Sequence, residues 1–222
     1  MSGSTSPKGS GLGFLHTAAS HVPRFAALLE HLAPDVPAVQ VVHEGLLAAA
    51  RARGVEAALP ELERVLASLA ENAEVIVCTC STLGAAAERF DGRLGARVLR
   101  IDRPLAEKAV AEASKLVVVA ALESTLAPTR ALLEAEAARV GKRVALTVSL
   151  CPDAWRYFEG GDEGAYLRAV AAHADEVAER GEVIVLAQAS MSGVERLVRT
   201  PKPVLSSPRL GVLAALGLFA DG

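Results

Sequence analysis

A β-branched run, Glu74-Val75-Ile76-Val77, recurs in the second half of the chain as Glu182-Val183-Ile184-Val185. The first copy continues through Cys78-Thr79-Cys80-Ser81-Thr82 into the helix-prone Leu83-Gly84-Ala85-Ala86-Ala87-Glu88. The second continues through Leu186-Ala187-Gln188-Ala189-Ser190 toward a helix-prone segment from Met191 to Val198. Aligned without gaps, Cys80 falls on Gln188, Thr82 on Ser190, and Ala70-Glu71 on Ala178-Glu179. Identity over so short a stretch of Val and Ile carries little by itself. What constrains the fold is that both copies are strands ending at a helix start. The chain reads as a duplicated α/β architecture with one site position supplied by each half.

The rest of the sequence fits two lobes. A chain of 222 residues divides into halves of about 100 residues, each large enough to bury its own core. Hydrophobic residues make up 51% and aromatic residues only 4%, so the cores are built from Ala, Val and Leu. Met1 to Gly11 reads as a loose leader. Strands are expected at Leu12–Thr17, Ala38–His43, Glu74–Cys80, Arg97–Asp102, Lys115–Ala121, Arg143–Leu150, Glu182–Gln188 and Val204–Ser206. Helices are expected over about Val22–Leu32, from Pro60, after Cys80, from Pro104 to about Ser114, from Leu126 through Val140, from Tyr166 to Arg180, and from Pro208. Gly160–Gly164 is the most loop-like internal segment. Such alternation implies doubly wound parallel sheets. One lobe is expected to comprise residues 1–97 plus 204–222 and to carry Cys80; the other, residues 98–203, carries Gln188.

Charge and motifs exclude several classes. A net charge of −3 gives no basic face for nucleic acid. The apolar tail Leu210–Ala220 is too short to span a bilayer, and residues 1–10 have no apolar signal core, so a cytoplasmic protein is expected. Three cysteines, an odd number, suit a reducing compartment. Cys78, Cys80 and Cys151 lack zinc-like spacing and a fourth ligand, and the five histidines form no His-x-x-x-His pair, so no metal is expected. There is no P-loop and no Gly-x-Ser-x-Gly elbow, and Gly11-Leu12-Gly13 precedes its strand instead of following it.

In parallel sheets ligands bind beyond the carboxyl ends of the strands. His16, Thr17, Cys80, Ser81, Thr82, Ser124, Thr125, Gln188 and Ser190 all fall at such ends. A cysteine entering a helix N-terminus meets unpaired N–H groups and the positive dipole end, which stabilise a thiolate and cradle an anion. The alternative is that Cys80 is a small buried hydrophobe, with Ser81 and Thr82 as helix caps. His16 is either a satisfied strand-end histidine or a base for Cys80, and a Cys80–His16 pair would suit a hydrolase. His43-Glu44 is a lesser candidate.

The motif Cys80-Ser81-Thr82 resembles the Cys-Asn-Thr or Cys-Ser-Thr signature of the aspartate/glutamate racemase superfamily, which includes glutamate, aspartate and hydantoin racemases, maleate isomerase and arylmalonate decarboxylase. Leu12–Thr17 is similar to that family's first strand. Val117–Thr125 with Leu126 is similar to its strand and hydroxyl-bearing turn, and Val185-Leu186-Ala187-Gln188-Ala189 to its Val-Leu-Gly-Cys-Thr stretch. The resemblance implies two α/β lobes related by a pseudo-twofold with the site in the cleft between them, no cofactor, and often a homodimer. It also implies one catalytic cysteine on each side of a substrate α-carbon. Here the second position is Gln188, whose amide can neither take nor give that proton.

The sequence therefore points to a cofactor-independent racemase- or isomerase-type enzyme acting on a small carboxylate with one thiol, Cys80. The substrate would be held by His16, Thr17, Ser81, Thr82, Ser124, Thr125, Gln188 and Ser190, with N–H donors from the helices after Cys80 and Gln188. Decarboxylation, cis–trans isomerisation through a Cys80 adduct, and non-catalytic carboxylate binding are the alternatives.

Overall fold

The computed structural model describes residues 11–221, so the expected leader lies, but for Gly11, outside the described residues. The described chain forms two compact units. One contains the residues up to Thr79, Leu83–Arg100 and the chain from Val212 on; the other contains Cys80–Thr82 and Ile101–Gly211.

In the first unit β1 (Leu12–His16), β2 (Ala38–Val42), β3 (Val75–Cys78) and β4 (Arg97–Arg100) form a parallel sheet in the order β2-β1-β3-β4. Helices α1 (His21–Leu32), α2 (Glu44–Arg53), α3 (Leu59–Ala70) and α4 (Ser81–Glu88) connect them. Inner strands of a parallel sheet are covered on both faces, and every residue of β1 and β3 is buried. The α3 helix starts with Pro60 in its first turn and buries Leu62, Val65, Leu66 and Leu69 on one stripe. The α2 helix escapes sequence reading because it buries only Leu46 and Ala50, too sparse a pattern to announce a helix.

The second unit repeats this plan. It contains α5 (Arg103–Glu112), β5 (Lys115–Ala120), α6 (Leu126–Arg139), β6 (Ala145–Leu150), α7 (Ala154–Glu159), α8 (Glu163–Val177), β7 (Val183–Leu186), β8 (Val204–Leu205) and the start of α9 (Ser207–Ala220). Its parallel sheet has the order β6-β5-β7-β8, matching the first sheet position by position. Period-2 alternation splits the strands between two cores. Val117, Val119, Ile184 and Leu186 pack with Tyr166, Val170 and Ala174 of α8, while Leu116, Val118, Val183 and Val185 pack with Leu105, Ala109, Leu132 and Leu133 of α5 and α6. Val140, expected on the apolar face of α6, instead follows its last turn and is exposed.

The duplication extends to single hydrogen bonds. Thr79 N–H donates to Leu15 O at 3.0 Å, and its counterpart Ala187 N–H donates to Val119 O at 2.9 Å. Cys80 and Gln188 therefore each stand one residue beyond the same step of the ladder.

Unit boundaries differ from expectation for reasons of pairing. The whole of β4 pairs with β3, which moves the boundary from 97/98 to 100/101. Pairing of β8 with β7 moves the return from 203/204 to 211/212. Cys80–Thr82, expected with the first lobe, group with the second unit, where Ser81 and Thr82 make hydrogen bonds. Among the described residues no helix is long and apolar enough to cross a membrane.

Helix α9 offers a controlled test of close packing. A Cβ at Gly211 would lie 2.5 Å from the Ile101 carbonyl oxygen, whereas one at Gly217 meets nothing within 4 Å. Gly211→Ala is expected to destabilise by about 1–3 kcal/mol. Gly217→Ala should be neutral or gain up to about 1 kcal/mol of helix propensity. Urea unfolding of both variants checks this; equal effects would contradict the packing.

Candidate active site

The β3 strand ends at Cys78, and the chain passes through Thr79 and Cys80 into α4. Cys78 is wholly enclosed in the sheet, while Cys80 is 7% exposed at the strand end. Cys151 is also buried, and burial reinforced by Asp153 and Glu176 pushes its thiol up to about 11. It stays protonated near neutrality and reads as a core thiol.

Ser81 and Thr82, which follow Cys80, are bonded to the chain just beyond the carboxyl ends of β7 and β5. Ser81 Oγ donates to the Ala187 carbonyl at 2.9 Å, and Thr82 Oγ1 reaches the Ser124 carbonyl at 3.4 Å. Gln188 closes the third side. Its Oε1 accepts from Ala121 N–H at 2.7 Å and from Leu122 N–H at 3.1 Å. A carboxamide oxygen that accepts two main-chain protons fixes the amide's orientation, so Nε2 is left as a pure donor. Thr125 Oγ1 donates to Leu122 O at 2.6 Å, which tightens the same turn. Ser190 Oγ shares a 2.8 Å hydrogen bond with Tyr166 Oη. Ser124 Oγ is buried and has no hydrogen-bond partner among the described residues.

The structure thus brings Cys80, Ser81, Thr82, Ser124, Thr125, Gln188 and Ser190 into one unit, at the strand ends where an α/β sheet binds ligands. Two expectations change. Gln188 is not followed by an α-helix: the chain makes short 3-10 turns at Ala189–Met191 and Val194–Arg196, separated by Gly193 at φ 109°. Met191 and Val194 pack into the α8 core without a helix, satisfying the pattern that suggested one. A helix start therefore follows Cys80 but not Gln188.

The second change concerns His16, which lies in the first unit and is fully buried. Its Nδ1 is 2.8 Å from Thr79 Oγ1 and its Nε2 is 2.9 Å from Gln40 Oε1. Thr79 Oγ1 also donates to the Leu15 carbonyl at 3.0 Å, so His16 is tied to the end of β3 and to β2 whichever ring nitrogen carries the proton. Burial lowers the His16 pKa, opposed by the Gln40 bond, which keeps the ring neutral near neutrality. Phe25 and His21 enclose it at ring-centroid distances of 5.1 and 5.9 Å. Both nitrogens serve the fold, as in the satisfied-histidine alternative. Thr17 is buried beside it in sequence. His43 pairs through Nε2 with Glu61, which Arg64 also holds.

Tyr166 escaped sequence reading as more than a helix residue. Its signal was chemical: a tyrosine on an apolar helix face needs a partner for its hydroxyl.

No family model matches the chain, and no curated protein matches it in sequence. Solved structures do match in shape. The glutamate racemase of Francisella tularensis in complex with D-glutamate superposes with a TM-score of 0.73 at 10% identity, covering 96% of this chain and 82% of that one. The fold is that of the aspartate/glutamate racemases. Allantoin racemase from Klebsiella pneumoniae gives a TM-score of 0.69 at 19% identity over 95% of this chain and 88% of that one. An arylmalonate decarboxylase carrying a glycine-to-cysteine substitution, in a sulfate-associated form, gives 0.63 at 20% identity over 96% and 94%. The shared fold accounts for the two matched sheets.

The Gln188 bonds predict a graded response. Gln188→Leu leaves two buried N–H groups unpaired, a loss of about 2 kcal/mol or more. Gln188→Glu keeps an acceptor in place and should cost less. Urea denaturation of the two variants measures the difference, and a Leu variant as stable as wild type would contradict the assignment.

Proposed function

We propose that this protein is a cofactor-independent, racemase- or isomerase-type enzyme of the aspartate/glutamate racemase superfamily, using the single thiol of Cys80 at the α-carbon of a small carboxylate. The observation that carries this reading is the setting of Cys80. It stands at the carboxyl end of a buried strand, enters α4, and is followed by Ser81 and Thr82 bonded to the ends of β7 and β5.

Removing an α-proton from a carboxylate yields an enediolate whose charge must be stabilised. The N–H groups at the start of α4, the Ser124 hydroxyl and Gln188 Nε2 are the donors suited to that task, each typically worth about 3 kcal/mol in a preorganised site. Thr125 and Ser190 are inner supports, since their hydroxyls are engaged with Leu122 and Tyr166. Cys80 as thiolate takes the proton. Gln188 cannot return one from the opposite face, so a net inversion requires water as the second acid.

One observation favours a second reading. With Gln188 Oε1 held by Ala121 and Leu122, the site has a single thiol acid, and decarboxylation needs only one. The bond to CO2 breaks, its electron pair enters the enediolate, and Cys80 Sγ–H gives the proton to carbon.

Incubation in deuterated water with amino acids, hydantoins, maleate and substituted malonates, followed by NMR, separates these readings. Deuterium uptake or alkene change supports the first, and CO2 loss the second; either should fall at least 100-fold in Cys80→Ser. No turnover, with thermal stabilisation by the same compounds, would replace both with a carboxylate-binding protein.

A further inference from the structure

The second unit carries another serine in contact with a histidine, away from the residues assigned above. Ser149 lies on the edge strand β6, and its Oγ is 2.8 Å from Nε2 of His173 on α8. Glu176, one helical turn on, holds Oε2 3.8 Å from His173 Nδ1. That separation is too long for a hydrogen bond, but the negative charge favours the tautomer protonated at Nδ1. Nε2 is then the acceptor, and the Ser149 hydroxyl donates to it, as in an activated nucleophile. Burial lowers the His173 pKa, opposed by Glu176 and assisted by Arg180, so the ring is in its basic form near neutrality.

The backbone supplies a third component. Ala145 N–H donates to Ser114 O and Cys151 N–H to Ala120 O, so the odd-numbered N–H groups of β6 face β5. Alternation turns the N–H of Leu150 to the open edge, directly after the serine. Ser149 is half-buried and Leu150 is 41% exposed, so a small ester can reach both. The neighbouring thiol of Cys151, held protonated by burial, is no competing nucleophile. A hydroxyl, a base accepting its proton and an unpaired N–H on the next residue are the parts an acyl transfer needs.

We propose that Ser149, with His173 as its base, is a second nucleophilic site that accepts acyl groups from activated esters of short acids. The Ser149 Oγ–carbonyl bond forms as the hydroxyl proton passes to His173 Nε2, and the resulting oxyanion is stabilised by the Leu150 N–H. The ester C–O bond then breaks, and the Nε2 proton leaves with the alcohol or phenol oxygen. Water, deprotonated by the same nitrogen, releases the acid and restores the serine.

The test uses the full chain, a fluorophosphonate probe that loses fluoride on forming a stable serine adduct, and 4-nitrophenyl acetate turnover. Peptide mapping of the wild type should find the adduct on Ser149, and Cys80→Ser should leave both signals unchanged. Ser149→Ala should lose both, and His173→Gln should slow both by about tenfold or more. The wild-type map decides the matter even if a variant folds poorly. No adduct, an adduct on Cys80 or elsewhere, or labelling indifferent to His173→Gln in a folded variant would overturn the proposal.

Discussion

Where a parallel strand ends inside a protein, its last amide groups lose the ladder and need other partners, because leaving one buried and unpaired costs about 1–3 kcal/mol. The second unit meets this at the ends of β5 and β7 with side chains. Gln188 Oε1 takes the protons of Ala121 and Leu122, Ser81 Oγ occupies the Ala187 carbonyl, and Thr125 Oγ1 occupies that of Leu122. These bonds fix the turn after β5, the exit of β7 and the start of α4 together.

The same bonds make the two halves of the duplication chemically unequal. Equivalent ladder steps lead to Cys80 in one copy and Gln188 in the other. A thiol can exchange a proton near neutrality and a carboxamide cannot. The local backbone is unequal too, since α4 follows Cys80 whereas 3-10 turns follow Gln188. One strand end thus carries a thiol at a helix start; the other carries an amide whose oxygen is held by two main-chain N–H groups. Gln188 is itself tied into the turn it borders, through its bonds to Ala121 and Leu122.

Much of this was legible because parallel sheets write themselves plainly. The run Lys115–Ala120 has no polar alternation because β5 is covered on both sides, and the repeat at 74–77 and 182–185 located one inner strand of each sheet, β3 and β7. Less legible were features whose physics is not periodic. The short helix α7 follows Asp153 in a left-handed conformation and spans only Ala154–Glu159. Met191 and Val194 have helical spacing but pack against α8 from two short 3-10 turns. His16 stood at a strand end like a catalytic group, yet its fate was decided by Gln40 and Thr79, which no spacing rule links to it. Tertiary hydrogen bonds of this kind separate a strand-end residue that serves chemistry from one that serves the fold.

The central claim is that Cys80, alone among three buried cysteines, is a working thiol. The most direct measurement is the alkylation rate of each cysteine by iodoacetamide at neutral pH, resolved by mass spectrometry, in the folded protein and in urea. The account predicts that folded Cys80 reacts faster than the same thiol in the unfolded chain, while Cys78 and Cys151 are protected. Folded Cys80 reacting no faster than an unfolded thiol, or Cys151 reacting first, would contradict it.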